Sequence, residues 1–264
     1  MPPRQSFPSH PRVRDAAALG FTSSLGPFAA NGIMPGFHAM AEDYGVSFVA
    51  VQQSLTIYLF TYAFFSLVAG SFSDSYGRRP TFIGGMLLFA AASVGAAFSQ
   101  SLWALYGWRL LQGIGAAVGQ VVTQAIVRDN WSGPEAANVN GMIAFFFAAG
   151  PALAPVVGGQ IVMHFGWHAV FLFLMVYSLS IAFFIYFRIP ETLNAADRSA
   201  FNLSVICSNY AKGLTHGAFM TGVVAHGILF MGGILYSAGS ADFVIKVMGL
   251  DVDEFGWLSI PLIF

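Results

Sequence analysis

Charged side chains are scarce in this sequence. Only 9% of its 264 residues are Asp, Glu, Lys or Arg, whereas a typical soluble domain has about 25%. Hydrophobic residues make up 56%, and such a chain could not cover its own surface in water. It is therefore expected to be an all-α protein that crosses the lipid bilayer several times. The net charge of −1 gives no basis for a nucleic-acid partner.

Cysteine and the common catalytic patterns are also missing or nearly so. Cys207 is the only cysteine, which excludes a disulfide within the chain and a cysteine-based metal cluster. The sequence contains no H-E-x-x-H pair, no G-x-S-x-G turn and no phosphate-binding G-x-x-x-x-G-K-[ST] loop. We therefore expect no enzyme, no metal site, no cofactor and no ATP-driven reaction.

Long stretches without charge are present, and they predict membrane-spanning helices. A span needs about 20 residues, because the hydrocarbon core is about 30 Å thick. An eighth apolar run begins near Phe255 and reaches Phe264, which is too short to cross. No charge lies between Asp15 and Glu42, which favours an uncleaved first helix over a signal peptide. The predicted spans, numbered 1 to 7, are about 16–37, 47–69, 81–99, 102–127, 137–162, 167–188 and 214–237.

Basic residues predict the orientation, because Lys and Arg accumulate on the cytoplasmic side of a membrane. They precede span 1, lie between spans 2 and 3, and follow spans 4 and 6, whereas the alternate loops contain none. The N-terminus is therefore predicted to be cytoplasmic, with Lys246 as the one basic residue outside. The cytoplasmic set is Arg4, Arg12, Arg14, Arg78, Arg79, Arg128, Arg188, Arg198 and Lys212.

The polar linker at 189–213 divides the chain. We predict a complete six-helix half over 1–188, this cytoplasmic linker, and an incomplete second half over 214–264. Because the sequence stops inside an apolar run, we expect a truncated chain. A transport-inactive membrane fragment is the alternative to a working protein.

The segment Gly70-Ser-Phe-Ser-Asp-Ser-Tyr-Gly-Arg-Arg-Pro80 lies between spans 2 and 3. We expect Gly70 and Gly77 to adopt backbone angles that other residues resist, and Pro80 to lie in the first turn of span 3. A loop that only sets topology would explain the arginines, but not the glycines, Asp74 and the proline in register. The segment resembles the G-x-x-x-D-x-x-G-R-R/K-P motif of the major facilitator superfamily. The resemblance implies a latch between two halves, made by Gly70, Asp74, Gly77, Arg78, Arg79 and Asp129.

Span 4 contains Tyr106-Gly-Trp-Arg-Leu-Leu-Gln-Gly-Ile-Gly115, which resembles the R-x-x-Q-G motif of drug:proton antiporters in that superfamily. Arginine inside a membrane costs at least about 2.5 kcal/mol, so it normally faces a cavity or a partner. Helical spacing places a polar stripe on one face, typical of a cavity wall. The alternative is that Arg109 reaches out to the headgroups. The stripe comprises Arg109, Gln112, Ala116, Gln120 and Thr123.

Span 5 contains Ala149-Gly-Pro-Ala-Leu-Ala-Pro-Val-Val-Gly-Gly159. Small residues four apart predict a flat side for a neighbouring helix, and two prolines favour a kink. The run resembles the antiporter motif G-P-x-x-x-P-x-x-G-G. The residues that match it are Gly150, Pro151, Pro155, Gly158 and Gly159.

Taken with Tyr58, Ala125-Ile-Val-Arg-Asp129 and Pro190-Glu-Thr-Leu193, these motifs resemble the bicyclomycin-resistance (Bcr/CflA) branch of drug:proton antiporters. The resemblance implies the major facilitator fold, here six helices plus helix 7 and the start of helix 8, with a binding cavity between the halves. It also implies proton-driven efflux of lipophilic small molecules. We expect a monomer in a bacterial inner membrane. A seven-helix receptor is disfavoured by the orientation and the 70–80 segment.

Acidic residues are missing from the interior of the first six predicted spans. Members of that branch often have an aspartate four residues before the proline of helix 1, where this chain has Asn31. A buried carboxylate is the simplest proton carrier, so its absence leaves proton coupling open. His226 in span 7 could titrate, or the site could bind neutral compounds by stacking and hydrogen bonds. The predicted cavity residues are Asn31, Tyr58, Arg109 and Gln112.

Overall fold

The structure, a computed structural model, describes residues 13–242, and all its regular elements over that range are helical. The all-α prediction is therefore confirmed. Two short 3₁₀ turns, Met34–Gly36 and Ala195–Asp197, join the helices. The helices are α1 (Val13–Asn31), α2 (Phe37–Tyr44), α3 (Phe48–Tyr76), α4 (Arg78–Ala97), α5 (Leu102–Asn130), α6 (Gly133–Phe165), α7 (Trp167–Arg188), α8 (Leu203–Thr215) and α9 (Gly217–Asp242).

Five of the described helices, α3 to α7, are long and apolar enough to cross a membrane. They correspond to predicted spans 2 to 6. The helix of span 1, α1, is less apolar because it contains Thr22, Ser23 and Ser24, all buried inside the bundle. A helix that faces other helices does not need a lipid-like surface. Span 7 corresponds to α9, which is apolar over Gly217–Leu229.

Two helices were not predicted. The eight-residue α2 follows span 1, and it ends at Gly45, which has φ of +62°. Helix α8 lies in the segment that we predicted as a polar linker, and its N-cap Asn202 accepts hydrogen bonds from two backbone amides. Both are short helices with too few apolar residues to stand out from their surroundings.

The predicted break between spans 5 and 6 is confirmed at Gly166, the single residue between α6 and α7, which has φ of +78°. The expectation that Gly70 adopts unusual backbone angles is, by contrast, wrong. It lies inside α3 with helical angles, and a side chain there would meet only Val121 at ordinary distance. Span 2 is seven residues longer at its end than predicted, because α3 continues to Tyr76, so Asp74 belongs to a helix and not to a loop.

Helix packing follows a simple order. The principal neighbours are α3 with α5, α5 with α4, α4 with α7, and α1 with α6, and α1 also contacts α5 and α7. Helix α5 approaches α4 closely, because Gly115 and Gly119 lie against Gly85, Met86 and Phe89 of α4.

The chain forms two compact units, one up to Phe201 and one from Asn202. The first holds α1 to α7 and the second holds α8 and α9. The division at 1–188, 189–213 and 214–264 remains a prediction. The start of an eighth span near Phe255, the residues Arg4 and Arg12, and Lys246 lie outside the described residues.

Candidate functional site

An ionic cluster lies where α3 ends and α4 begins. The Arg78 guanidinium is nearly buried and bridges two carboxylates. It forms an ion pair with Asp74 one turn earlier and a second with Asp129 at the end of α5, where Nε lies 3.0 Å from Oδ2. Arg78 Nη1 also donates to Ser73 Oγ over 2.6 Å. The cluster therefore ties the ends of three helix segments together, and charge-assisted hydrogen bonds of this kind are among the strongest in proteins.

The second arginine of the segment has a different role. Arg79 does not pair with Asp74. It donates to the carbonyl oxygen of Tyr186 in α7, and its guanidinium carbon lies 4.8 Å from the centre of the Tyr186 ring. Pro80 lies in the first turn of α4, as expected. Proline has no backbone N–H, and an N–H in the first turn would have no acceptor within the helix. Thus Arg78 links α3 to α5, and Arg79 links α4 to α7.

Gly77 is the glycine whose conformation matters here. Its φ of +103° is a backbone angle that L side chains rarely adopt. A Cβ atom at this position would also overlap the carboxylate of Glu191, which follows α7. The turn thus requires a glycine for two reasons, and the expectation for Gly77 is confirmed.

A buried arginine lies deeper in the bundle. Arg109 is 0% exposed, and its Nη1 donates to Gln112 Oε1 over 2.9 Å and to the carbonyl oxygen of Ala29 over 3.3 Å. Its guanidinium carbon lies 4.3 Å from the centre of the Tyr58 ring. Gln112 Nε2 in turn donates to Ser93 Oγ over 2.8 Å. Four helices, α1, α3, α4 and α5, therefore meet at Arg109.

Two nitrogens of Arg109, Nε and Nη2, have no hydrogen-bond partner among the described residues. The guanidinium points into the bundle, which is not the geometry expected for a side chain that reaches the headgroups. Gln112 and Thr123 of the predicted polar stripe are also fully buried, whereas Gln120 is half-buried. At Arg109 and Gln112 the stripe contacts α1, α3 and α4. Asn31 donates to the carbonyl oxygen of Pro27 in its own helix over 2.8 Å and does not join the cluster.

The glycine-rich face of α6 packs on α1. Gly150 lies against Ser24 and Pro27, and Gly158 lies so close to Gly32 that a methyl group would overlap its carbonyl oxygen. The flat side predicted for span 5 is thus present. Helix α6 continues through Pro151 and Pro155, which are both exposed, and Gly159 has ordinary room around it.

An apolar cavity of about 670 Å³ opens between α1, α6 and α7. Its only polar feature besides Ser180 is a hydroxyl pair, Ser24 Oγ and Tyr177 Oη, which are 2.6 Å apart. Tyr177 also donates to the carbonyl oxygen of Phe21 over 2.8 Å. Such a surface suits a neutral, lipophilic molecule that stacks on rings and makes one or two hydrogen bonds. The aromatic lining is Phe21, Phe28, Phe145, Phe146, Phe173, Tyr177 and Phe184.

The family profile of the Major Facilitator Superfamily matches residues 19–264, which is most of the chain. The chain belongs to the major facilitator superfamily. The resemblance predicted from the sequence motifs is therefore confirmed, and the protein is an integral membrane protein of this superfamily.

Similar members of the superfamily include drug-resistance proteins. The chain is 30% identical to the bicyclomycin resistance protein homolog of Haemophilus influenzae, over 90% of this chain and 60% of that protein. It is 32% identical to multidrug resistance protein D of Escherichia coli, over 64% of this chain and 43% of that protein. The chain thus spans less than two thirds of the length of these relatives.

A solved structure supports the fold. The peptide transporter POT in complex with sulfate superposes with a TM-score of 0.63 at 17% identity, and the match covers 96% of this chain and 50% of that one. At this identity the likeness shows the superfamily fold alone.

Several residues at these sites were missed by the sequence reasoning. Ser73, Ser93, Ser24 and Tyr177 are ordinary polar residues in helices, and no pattern marks them. Glu191 was noted only as part of a motif. One signal was available for it: α4 begins after a glycine, which offers no capping side chain, so a cap from elsewhere in the chain was to be expected.

Proposed function

We propose that this superfamily member is a secondary transporter that exports lipophilic small molecules in exchange for protons. The observation that carries the proposal is the cavity between α1, α6 and α7, whose lining is almost entirely hydrocarbon and aromatic. A cavity of this chemistry favours uncharged lipophilic compounds over sugars, peptides or ions. The names of the drug-resistance relatives support export of drugs.

The ionic cluster at Arg78 is proposed to act as the cytoplasmic latch. It sits at the ends of α3 and α5 and the start of α4, a position next to basic residues that favours the cytoplasmic side. In this proposal Asp74 and Asp129 hold Arg78 in one conformation of the transport cycle and release it in another. The N-terminus is cytoplasmic, the protein is a monomer and the membrane is the bacterial inner membrane.

Proton coupling needs a group that titrates. In α3 to α7 every Asp and Glu lies within a terminal turn: Asp74, Asp129 and Glu135. These helices therefore place no carboxylate at mid-membrane depth. We propose that the proton site lies elsewhere, with His226 of α9 as a titratable candidate.

The proposal is tested by measuring accumulation of a lipophilic fluorescent dye in efflux-deficient bacteria that express the protein. We expect lower accumulation than in control cells, and a protonophore should abolish the difference. The Asp74→Asn variant should export the dye about tenfold more slowly than wild type at equal membrane abundance, because a charge-assisted pair is removed. Its matched control is Glu42→Gln, which changes an exposed carboxylate in α2. Unaltered efflux by the Asp74→Asn variant would contradict the latch.

A further inference from the structure

The segment that follows α7 folds back onto the ionic cluster. We define residues 189–199 as the strap. Glu191 Oε1 accepts from the backbone N–H of Arg78 over 2.9 Å, and Glu191 Oε2 accepts from the N–H of Arg79 over 3.2 Å. Thr192 Oγ1 donates to Asp129 Oδ2 over 3.2 Å. The strap therefore contacts both the backbone of the turn and one of the carboxylates that hold Arg78.

The strap also contacts the end of α3. The backbone N–H of Ser199 donates to the carbonyl oxygen of Asp74 over 3.2 Å. The Glu191 Oε1 atom is itself held in place, because it accepts from the N–H of Leu193 over 3.0 Å. The contacts thus come from several points along the strap, so its position does not depend on a single hydrogen bond.

The N-terminus of helix α4 needs a hydrogen-bond acceptor from elsewhere in the chain. The first N–H groups of a helix have no acceptor within the helix, and a Ser, Thr, Asp or Asn side chain normally caps them. The N-cap of α4 is Gly77, which has no side chain, and no cap from a neighbouring residue is present. A carboxylate is a favourable acceptor at a helix N-terminus because the helix dipole is positive there. Glu191 occupies this place although it lies 113 positions beyond Arg78 in the chain.

We propose that Glu191 is a positioning residue for the ionic cluster. It caps α4 and fixes the backbone of Arg78, so that the Arg78 side chain reaches Asp74 and Asp129 at once. The glycine at 77 is part of the same arrangement, since any side chain there would overlap the Glu191 carboxylate. The second unit begins shortly after the strap, at Asn202. A displacement of the strap would therefore change the position of the ionic cluster through Glu191. The importance of this for transport rests on the proposed function.

The proposal is tested first by a measurement that does not need transport. Trypsin cleaves after Arg78, whereas the bond after Arg79 precedes Pro80 and is resistant. Everted membrane vesicles containing the full chain are treated with trypsin, and the fragment that ends at Arg78 is quantified by mass spectrometry. Cleavage at the exposed Lys212 in the same molecule provides an internal reference.

We expect Glu191→Ala to raise cleavage after Arg78 roughly tenfold relative to cleavage at Lys212, because a released α4 end opens more often. The Glu191→Gln variant should be intermediate, because its amide nitrogen cannot accept from Arg79 and one oxygen remains for Arg78. The matched control Thr192→Val loses only the contact with Asp129 and should resemble wild type. Protection of Arg78 at the wild-type level in Glu191→Ala would overturn the proposal. If Glu191→Ala does not insert, the same wild-type protection in Glu191→Gln would overturn it.

Transport kinetics then separate positioning from general stability. We expect Glu191→Ala to lower the maximal rate of dye export several-fold with an unchanged KM, and Glu191→Gln to recover part of the rate. A raised KM with an unchanged maximal rate would contradict a role through Arg78. If wild type exports no dye, the proposed function fails, while the cleavage result still decides whether Glu191 positions the cluster.

Discussion

Arg109 is a buried cation whose partners are all neutral. A carbonyl oxygen, an amide oxygen and a tyrosine ring surround it, and no carboxylate pairs with it among the described residues. Burial of a charge without a counterion is costly, and it persists in membrane proteins mainly where the group serves function. The Nε and Nη2 atoms of Arg109 have no hydrogen-bond partner among the described residues, so the buried guanidinium keeps unused hydrogen-bond donors.

Replacing this arginine separates function from stability. We expect Arg109→Met to keep membrane abundance and thermal stability near wild type, because an apolar side chain of similar length removes the desolvation cost. Transport should fall about tenfold or more, since the link between Gln112 and Tyr58 is lost. Arg188→Met, at the exposed end of α7, is the control. Wild-type transport by Arg109→Met would show that the buried charge has no role in transport.

The aromatic cavity makes a second prediction at the residue scale. Phe173 lies in its lining, whereas Phe165 is 77% exposed and lies outside it. Removing a ring that stacks on the substrate should cost about 0.5–1.5 kcal/mol of binding, so Phe173→Ala should raise KM for lipophilic dyes about two- to tenfold. Phe165→Ala should leave KM unchanged. If Phe173→Ala and Phe165→Ala have the same KM, the substrate does not bind in this cavity.

Helices α1 and α6 approach each other closely in the first unit. At Gly158 a methyl group would overlap the backbone of Gly32, the residue directly after α1, whereas at the adjacent Gly159 the nearest atom, in Pro35, would be 3.9 Å away. We therefore expect Gly158→Ala to destabilise the protein by about 1–3 kcal/mol, because backbone cannot move aside as a side chain can. Melting of the detergent-solubilised variants reports the difference. A Gly158→Ala variant as stable as Gly159→Ala would contradict this close approach.

At the same scale, the long apolar helices could be predicted and their ends could not. Charge-free length located α3 to α7 because lipid imposes a minimum span. The predicted end of α3 is wrong because Gly70 and Asp74 are typical of turns, although both fit a helix whose last turns leave the membrane. Helices α2 and α8 were missed because neither has the length that a span requires.

The candidate site, like the helices, could be predicted from the sequence only in part. The resemblance to the superfamily motif implied that Asp74, Arg78 and Asp129 belong to one group, and the structure brings them together. It did not show that Arg109 would be enclosed, since burial depends on how α1 and α3 approach α5. Contacts between residues far apart in sequence, such as Glu191 with Arg78, come from tertiary packing and have no local signature.

At the scale of the whole molecule, the two units are joined through the strap. The first unit contains the ionic cluster, the buried arginine and the aromatic cavity, and the second contains α8 and α9. Superfamily transporters operate largely by movement of one half against the other around a central site. The contacts of Glu191 and Thr192 with the ionic cluster lie in the first unit, close in sequence to the point where the second unit begins.

Exchange of substrate for protons is the central claim and can be measured directly. Everted vesicles containing the protein are energised to an acid interior, which is followed with a pH-sensitive dye, and a lipophilic substrate is then added. Antiport predicts that substrate addition releases protons and restores part of the dye fluorescence, and that vesicles containing Asp74→Asn respond about tenfold more slowly. An unchanged pH gradient with wild-type protein present in the membrane, across neutral and cationic substrates, would contradict drug:proton exchange by this protein.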